Sequence, residues 1–295
     1  MRVLDSHLHL WDPSRLDYAW LRGPLATRFG AAELAAAHAR TDGDITAGDS
    51  GHAAAVFVQA DCAEEQFLDE VRWVAENAEQ TGVIGIVAGA RLDRGAETAD
   101  YLASLAELPL VVGVRHLLQG EPDGTATSET FLTGAETLAA RGWTFDACIR
   151  EQQLPDVDVL ATSVPTLRIV LDHLGKPAVG TAAAPLAPSA DWIRGIRAVA
   201  AHGQVSIKLS GLPGEAGGSW TAAQLIPFLD VAAEAVGPYH LLWGSDWPVS
   251  AIGADGYRPA DRDRWLQTVA DWAVARGHDV DAILWGNAAR IYRVG

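Results

Sequence analysis

The sequence predicts an α/β protein folded as one (β/α)8 barrel, with long loops after several of its strands. Three observations predict it. Short apolar runs recur eight times along the chain, amphipathic stretches of helical character separate them, and 295 residues suit the roughly 250 of such a barrel plus insertions. Strands that alternate with helices must pair in parallel, because each crossover buries its helix against the sheet. An open doubly wound sheet is the alternative. No G-x-G-x-x-G follows an early strand, which weakens it.

The strand runs, in order, are Val3–Leu10, Ala53–Ala60, Val83–Ala90, Leu110–His116, Trp143–Ile149, Leu167–His173, Val205–Leu209 and His240–Trp243. The helical stretches between and after them are Glu64–Gln80, Thr98–Glu107, Ser128–Arg141, Leu154–Thr162, Asp191–His202, Thr221–Val236 and Arg262–Arg276. Three segments break the repeat. Residues 11–50 hold an Ala-rich helix near 31–39 and a polar stretch from Thr41 to Ser50, while 174–190 and 211–220 are rich in Gly, Pro and Ala. All three follow strands, on the face where barrel enzymes keep their sites, and loops of that length commonly cover substrate. No linker divides the chain, so residues 1–295 read as one domain.

Composition narrows the function classes. Only 22 Lys and Arg stand against 38 Asp and Glu, a formal charge of -16 that repels phosphate backbones and anionic lipid. Nucleic acid and membrane are therefore not expected partners. No apolar tract reaches 18 residues, and Asp5, His7, His9 and Asp12 interrupt the first twenty, so neither a spanning helix nor a secretion signal is expected. Two cysteines, Cys62 and Cys148, make no disulfide framework and suit a reducing cytoplasm. Of the 22 basic residues only Lys176 and Lys208 are lysines, one just beyond a strand run and one inside another. Base composition accounts for the scarcity, but the placement keeps a functional role open.

The first strand reads Leu4-Asp5-Ser6-His7-Leu8-His9-Leu10. Period-two alternation sends Asp5, His7 and His9 one way and Leu4, Leu8 and Leu10 the other. Neutral imidazoles at i and i+2 can ligate one cation or donate together to one substrate oxygen. A solvated strand face is the plain alternative. The eighth strand runs into Trp243-Gly244-Ser245-Asp246-Trp247-Pro248. Closure would set Asp246 beside strand 1, where a carboxylate near imidazoles or a metal can act as a base toward water. A turn-capping Asp is the bland reading. His173 ends strand 6, as a catalytic group or as a core histidine bonded to a carbonyl. Arg115 ends strand 4 and could bind an oxyanion or ring oxygens. Lys208 sits in a run apolar enough that its ammonium must reach the mouth or find a partner. Cys148 lacks a placed base and reads as inert, and Asn287 and Arg290 read as docking a terminal helix.

Taken together, these positions resemble the amidohydrolase superfamily, in particular its metal-dependent or metal-optional group of TIM-barrel lactonases. The matching elements span nearly the whole chain: DSHLHLWD (5–12), VFVQAD (56–61), GVRHLLQGEPD (113–123), FDACIREQQLP (145–155), VLDHLGKP (170–177), SIKLSGL (206–212), WGSDWPV (243–249) and WGNAARIY (285–292). The RH-x-L-Q-x-EPD and KLSGL segments look most like sugar lactonases acting on L-fucono- or L-rhamnono-lactone. The resemblance implies that His7, His9 and His173, with Asp246, hold one divalent ion, zinc, or polarise the carbonyl without it. It implies that Asp246 takes the proton of attacking water. It further implies that Arg115, His116 and Lys208 contact the sugar acid, with Gln59, Tyr18 and Trp20 lining the pocket.

Some features depart from the group. Extra polar sequence surrounds 41–52, and strand 3 ends Gly89-Ala90-Arg91 where the group has a bulkier pattern. No lysine ends strand 4 and no histidine ends strand 5, against the binuclear and deaminase-type sites of sister families. The expected activity is opening of an aldonolactone to its open-chain acid. A zinc-dependent decarboxylase of the same superfamily and a non-catalytic barrel that binds sugar acids are the alternatives. A small-molecule lactone is the expected partner, and a homo-oligomer is compatible with this reading.

Overall fold

The computed structural model describes residues 2–38, 54–253 and 256–295. The polar stretch from Thr41 to Ser50, and the 41–52 departure with it, lie outside the described residues. Eight parallel strands form one sheet: β1 (Leu4–Leu8), β2 (Ala54–Val58), β3 (Val83–Gly89), β4 (Val111–Arg115), β5 (Thr144–Ala147), β6 (Arg168–Leu171), β7 (Val205–Leu209) and β8 (Leu241–Trp243). They pair in sequence order, and the ends of the sheet meet. Leu8 bridges to Trp247, Asp246 N–H donates to the His7 carbonyl at 2.8 Å, and His9 N–H donates to that of Trp247 at 2.9 Å. The expected TIM barrel is the observed fold.

Helices fill the crossovers: α1 (Ala31–His38), α2 (Phe67–Glu76), α3 (Ala96–Ala106), α4 (Glu129–Ala140), α5 (Leu154–Ser163), α6 (Ala190–Ala200), α7 (Ala222–Val236) and α8 (Asp261–Arg276), with α9 (Asn287–Tyr292) after them. Their starts follow cap chemistry. Ser128, Ser189 and Thr221 each accept a backbone N–H from the first turn of α4, α6 and α7. One stretch expected as a single helix, Glu64–Gln80, is divided: α2 stops at Glu76 and a short turn follows over Ala78–Thr81. Asn77 ends it by donating its side-chain amide to the Trp73 carbonyl at 2.7 Å.

The core has two layers. Leu8, Leu10, Phe57, Phe145 and Trp243 pack in one cluster with helix residues such as Phe131, Trp192, Phe228 and Trp265. Leu4, Val56, Val58, Val87, Val170 and Leu242 meet instead inside the barrel floor, against Ala288, Ile291 and Tyr292 of α9. Asn287 fixes that plug through its side-chain amide, which donates to the carbonyls of Pro238 and Leu241 at 2.8 Å each. Arg290 donates to the Tyr239 carbonyl, so both residues dock the terminal helix.

Strict alternation along β1 does not hold. Leu4 faces the barrel interior, whereas Asp5 turns outward to within 3.6 Å of Arg262 on α8 and accepts the N–H of Ser245 at 2.8 Å. The pairing with β2 slips between Asp5 and Leu8, and this irregularity re-aims the next side chains. His7 therefore faces inward although Asp5, two residues before it, faces out.

Candidate active site

Strand ends and two strained turns supply the site. His7 and His9 come from the C-terminal end of β1, Asp246 from the turn after β8 and His173 from the turn after β6. Asp246 has φ of 54°. After β6, four consecutive residues adopt positive φ: His173 (54°), Leu174 (53°), Gly175 (71°) and Lys176 (53°), of which only one is glycine. Left-handed backbone costs about 1–2 kcal/mol per non-glycine residue, and such strain gathers at functional sites. Here it aims His173 toward Asp246.

The Asp246 carboxylate lies among three imidazoles. Its Oδ1 stands 3.4 Å from His9 Nε2 and 3.7 Å from the Nε2 atoms of His7 and His173. Its Oδ2 accepts the Ser250 hydroxyl at 2.7 Å. His173 Nδ1 meets the Ser210 hydroxyl at 2.9 Å. All four site residues are at least 95% buried.

A second set of charges lies below. Lys208 Nζ reaches Asp146 Oδ2 at 2.5 Å, Asp172 Oδ1 at 3.0 Å and His7 Nδ1 at 3.1 Å. Asp146 also accepts the Tyr292 hydroxyl at 2.6 Å and the Thr144 hydroxyl at 3.1 Å. Arg115 joins through Asp172 Oδ2 at 3.4 Å and donates to the Gln59 carbonyl. Lys208, Asp146 and Asp172 are wholly buried.

The contacts of His7 and His9 order their protons. An ammonium can only donate, so Lys208 gives a hydrogen bond to His7 Nδ1 and the ring proton then sits on Nε2. From there it points to His9 Nε2 at 3.1 Å, and His9 returns its own Nδ1 proton to the Val58 carbonyl at 2.7 Å. Asp172 Oδ1, 3.2 Å from His7 Nδ1, is an acceptor for the other tautomer. Burial holds His7 well below the ordinary imidazole range, Lys208 and His173 add to that, and Asp172 opposes it. Burial also lowers His173, to about 4, against the pull of Asp246. The rings of His7 and His173 are neutral at neutral pH. Burial pushes the Asp246 carboxyl up, yet the surrounding imidazoles, His173 first, outweigh it and hold it below the usual carboxylate range. The site thus sets a carboxylate among three imidazoles, of which His7 and His173 are neutral.

The donor set fits a divalent ion. Ligand atoms of His7, His173 and Asp246 lie within 4.8 Å of one another, and His9 Nε2 stands beside two of them. Two nitrogens bound to one tetrahedral zinc stand about 3.3 Å apart, close to the 3.1–3.7 Å separations found here. Imidazole and carboxylate are zinc ligands by type, and Asp172 can fix the ligating tautomer of His7.

Above these residues opens a cavity of about 380 Å³, lined by His9, Arg115, His173 and Asp246. Trp20 lines it too, its indole donating to the Ala60 carbonyl at 2.7 Å. The other residues expected to touch substrate lie elsewhere. Lys208 is beneath His7. His116 stacks on Phe131, 3.4 Å from the Leu92 N–H and 3.6 Å from Glu121. The Gln59 side chain holds the Asp61 N–H at 2.5 Å, and Tyr18 is buried beside Glu70 and Cys62. Sequence reasoning passed over Asp146, Asp172, Tyr292, Ser210 and Ser250. A signal existed for the first two, since a carboxylate inside an apolar strand must find a cationic or hydrogen-bonding partner.

An eight-stranded parallel barrel with a histidine–aspartate set at the C-terminal ends of its strands defines a TIM-barrel hydrolase. The family model described as "Amidohydrolase" matches residues 4–294, and the chain belongs to that family. It is 32% identical to the L-fucono-1,5-lactonase of Burkholderia multivorans over 304 residues, covering 98% of this chain and 95% of that one. With the L-fucono-1,5-lactonase of Burkholderia ambifaria it shares 29% identity over 99% of this chain and 95% of that one. A crystal structure of a Burkholderia multivorans amidohydrolase with bound zinc superposes with a TM-score of 0.80 at 30% identity, covering all of both chains. Among the described residues no helix is long and apolar enough to cross a membrane.

Proposed function

We propose that the protein hydrolyses an aldonolactone of the L-fucono type to the open-chain sugar acid, with Asp246 as general base. The carrying observation is the Asp246 carboxylate, 3.4–3.7 Å from three imidazoles and lining a cavity that Arg115 also lines. The full-length likeness to two L-fucono-1,5-lactonases supports the substrate class.

In this reading Asp246 removes a proton from water as its oxygen bonds to the lactone carbonyl carbon. The Nε2–H of His173, which lines the cavity and whose Nδ1 meets the Ser210 hydroxyl, donates to the carbonyl oxygen as it becomes an oxyanion, while the His7 Nε2 proton, kept there by Lys208, orients His9. Preorganised donors of this kind are worth most where water is excluded. The carbon–ring oxygen bond then breaks, and the departing oxygen takes back the proton that Asp246 accepted. Arg115 binds substrate oxygens and does no proton chemistry, because a guanidinium does not surrender its proton. In place of that proton donation, a zinc-type ion held by His7, His9, His173 and Asp246, with the His7 proton then on Nδ1 toward Asp172, would supply Lewis acidity to the carbonyl and to water.

Purified protein mixed with a panel of sugar lactones in weak buffer containing a pH indicator should release acid. No release with any lactone would overturn the proposal. A decarboxylase would release no acid from these lactones, which carry no carboxyl group to lose.

A further inference from the structure

Of the two lysines of this chain, Lys208 lies beneath His7 and serves the activity proposed above, and Lys176 reaches the barrel mouth unused by it. Lys176 ends the run of four left-handed residues that begins at His173, and its N–H closes that turn onto the His173 carbonyl at 2.8 Å. One strained turn therefore delivers two side chains to one cavity. Both line it, as does Gln119. The Lys176 ammonium donates to Gln119 Oε1. Burial raises the carboxyl of Glu215, which lines the same cavity, and the electrostatic pull of this ammonium lowers it, although no carboxylate oxygen among the described residues lies within 4.0 Å of the ammonium. A half-buried cation whose one hydrogen-bond partner is a neutral amide keeps unused donors.

That bond also orients Gln119. With Oε1 committed to the ammonium, the amide is left with its NH2 group, so the pair offers donors alone. Asp61 lines the same cavity with the opposite polarity. Its backbone has φ of 59°, its N–H is bound by the Gln59 side chain, and its carboxylate, on which Arg115 and His9 act electrostatically, accepts no hydrogen bond among the described residues. Hydroxyl groups both give and accept hydrogen bonds, so a polyhydroxylated ring satisfies both walls and an unsubstituted lactone satisfies neither.

We propose that Lys176, with the Gln119 amide it orients, is a specificity-determining pair that binds ring hydroxyl oxygens of the substrate, a reading that rests on the lactonase function above. A site built to bond a hydroxyl rejects an analogue lacking it, because its own polar groups are then left unpaired. The pair acts in recognition and leaves the ester chemistry to Asp246 and the histidines.

The test compares kcat/KM for L-fucono-1,4-lactone with that for δ-valerolactone, which has the ester and no ring hydroxyl. Hydrogen bonds to charged groups contribute enough that Lys176→Met should lower the preference for the hydroxylated lactone about 10- to 100-fold. Gln119→Leu, which leaves the strained turn alone, should lower it in the same direction by about threefold to tenfold. Most of the loss should enter KM. Equal losses on both lactones in the two folded variants, or an unchanged preference, would overturn the assignment. Calorimetric titration with L-fuconate, the open-chain acid, separates the two levels. A wild-type protein that opens neither lactone overturns the lactonase reading. Fuconate binding that weakens in Lys176→Met supports the pair even then, and binding that ignores both substitutions, or is absent, overturns it.

Discussion

Two sets of charged groups are stacked in this barrel and share one ring, His7. In the upper set the Asp246 carboxylate faces three imidazoles and borders the cavity. In the lower set two carboxylates, Asp146 and Asp172, share the Lys208 ammonium out of reach of solvent. The residue types are nearly the same. A buried charge beside an opposite charge is locked, because moving either leaves the other unpaired. A buried carboxylate beside neutral rings keeps the capacity to take a proton. The lower set is thus suited to hold geometry and the upper one to change charge state, with His7 carrying orientation from one to the other.

The largest expected effect breaks the upper set at its base. Asp246→Asn keeps the shape and can still accept from Ser250, but it cannot take a proton from water at neutral pH. General-base help is commonly worth about 10²–10⁴, and kcat on the best lactone should fall by that factor. Circular dichroism should show an intact fold. A folded variant with near wild-type turnover would remove the functional distinction between the two sets.

The next test breaks the lower set. Lys208→Met leaves two carboxylates facing each other without their ammonium, and losing one partner of a buried pair costs about 3–5 kcal/mol. For a chain of this size the melting temperature should drop by roughly 6–20 °C. Adding Asp146→Leu should recover much of that stability, since an apolar replacement of both partners is commonly near neutral. Activity should stay low in the double variant, because His7 Nδ1 has still lost its donor. Recovery of both would mean that Lys208 serves stability alone.

How far these sets were legible in the sequence follows from the same contrast. A parallel barrel puts every strand's C-terminal end on one face, so His7, His9, His173 and Asp246 could be brought together from strand positions. Period two also predicted the orientation of His7 and His9, but not of Asp5, whose side chain a local slip in register turns outward. Lys208 was recognisable as a buried cation in need of a partner. Its partners were not, because Asp146 and His7 lie 62 and 201 residues away and meet it only across the barrel interior. Ser210 and Ser250 were invisible for another reason: serines in loops are ordinary, and only closure showed which ring and which carboxylate they touch.

Glu70 asks whether partner or burial decides the charge of a carboxylate here. It lies on α2 outside both sets, accepts the Ala60 N–H at 3.1 Å and is wholly buried. Burial raises its carboxyl to about 7, against the opposing effects of the Ala60 N–H and Arg115. Between 4.5 and about 7 the unfolded chain has lost this proton while the folded chain keeps it, so the group's contribution falls as pH rises through that window. The span corresponds to roughly 3 kcal/mol. Denaturant midpoints for wild type and Glu70→Gln should therefore converge near pH 4.5 and separate by pH 8, with the Gln variant the more stable. Parallel curves would show that this carboxyl is ionised throughout, as a partnered one would be.

The smallest effect tests whether the upper set depends on its own support. Ser250 donates to Asp246 Oδ2 at 2.7 Å, leaving Oδ1 as the oxygen that faces the three rings. Removing the hydroxyl frees the carboxylate to rotate and removes a donor that favours its ionised form. Both changes reduce the fraction of carboxylates aimed at water, without deleting the base. Groups that orient a reacting residue are commonly worth about tenfold or somewhat more. Ser250→Ala should accordingly lower kcat about tenfold, leave KM within about a factor of two, and shift the acidic limb of the kcat profile toward higher pH. The direction of that shift is the informative part, since losing a hydrogen bond to the carboxylate can only raise its proton affinity. If kcat falls while the limb stays in place, Ser250 acts by position alone. If the limb moves down in pH, the group it reports is not Asp246, and the base must be sought among the histidines.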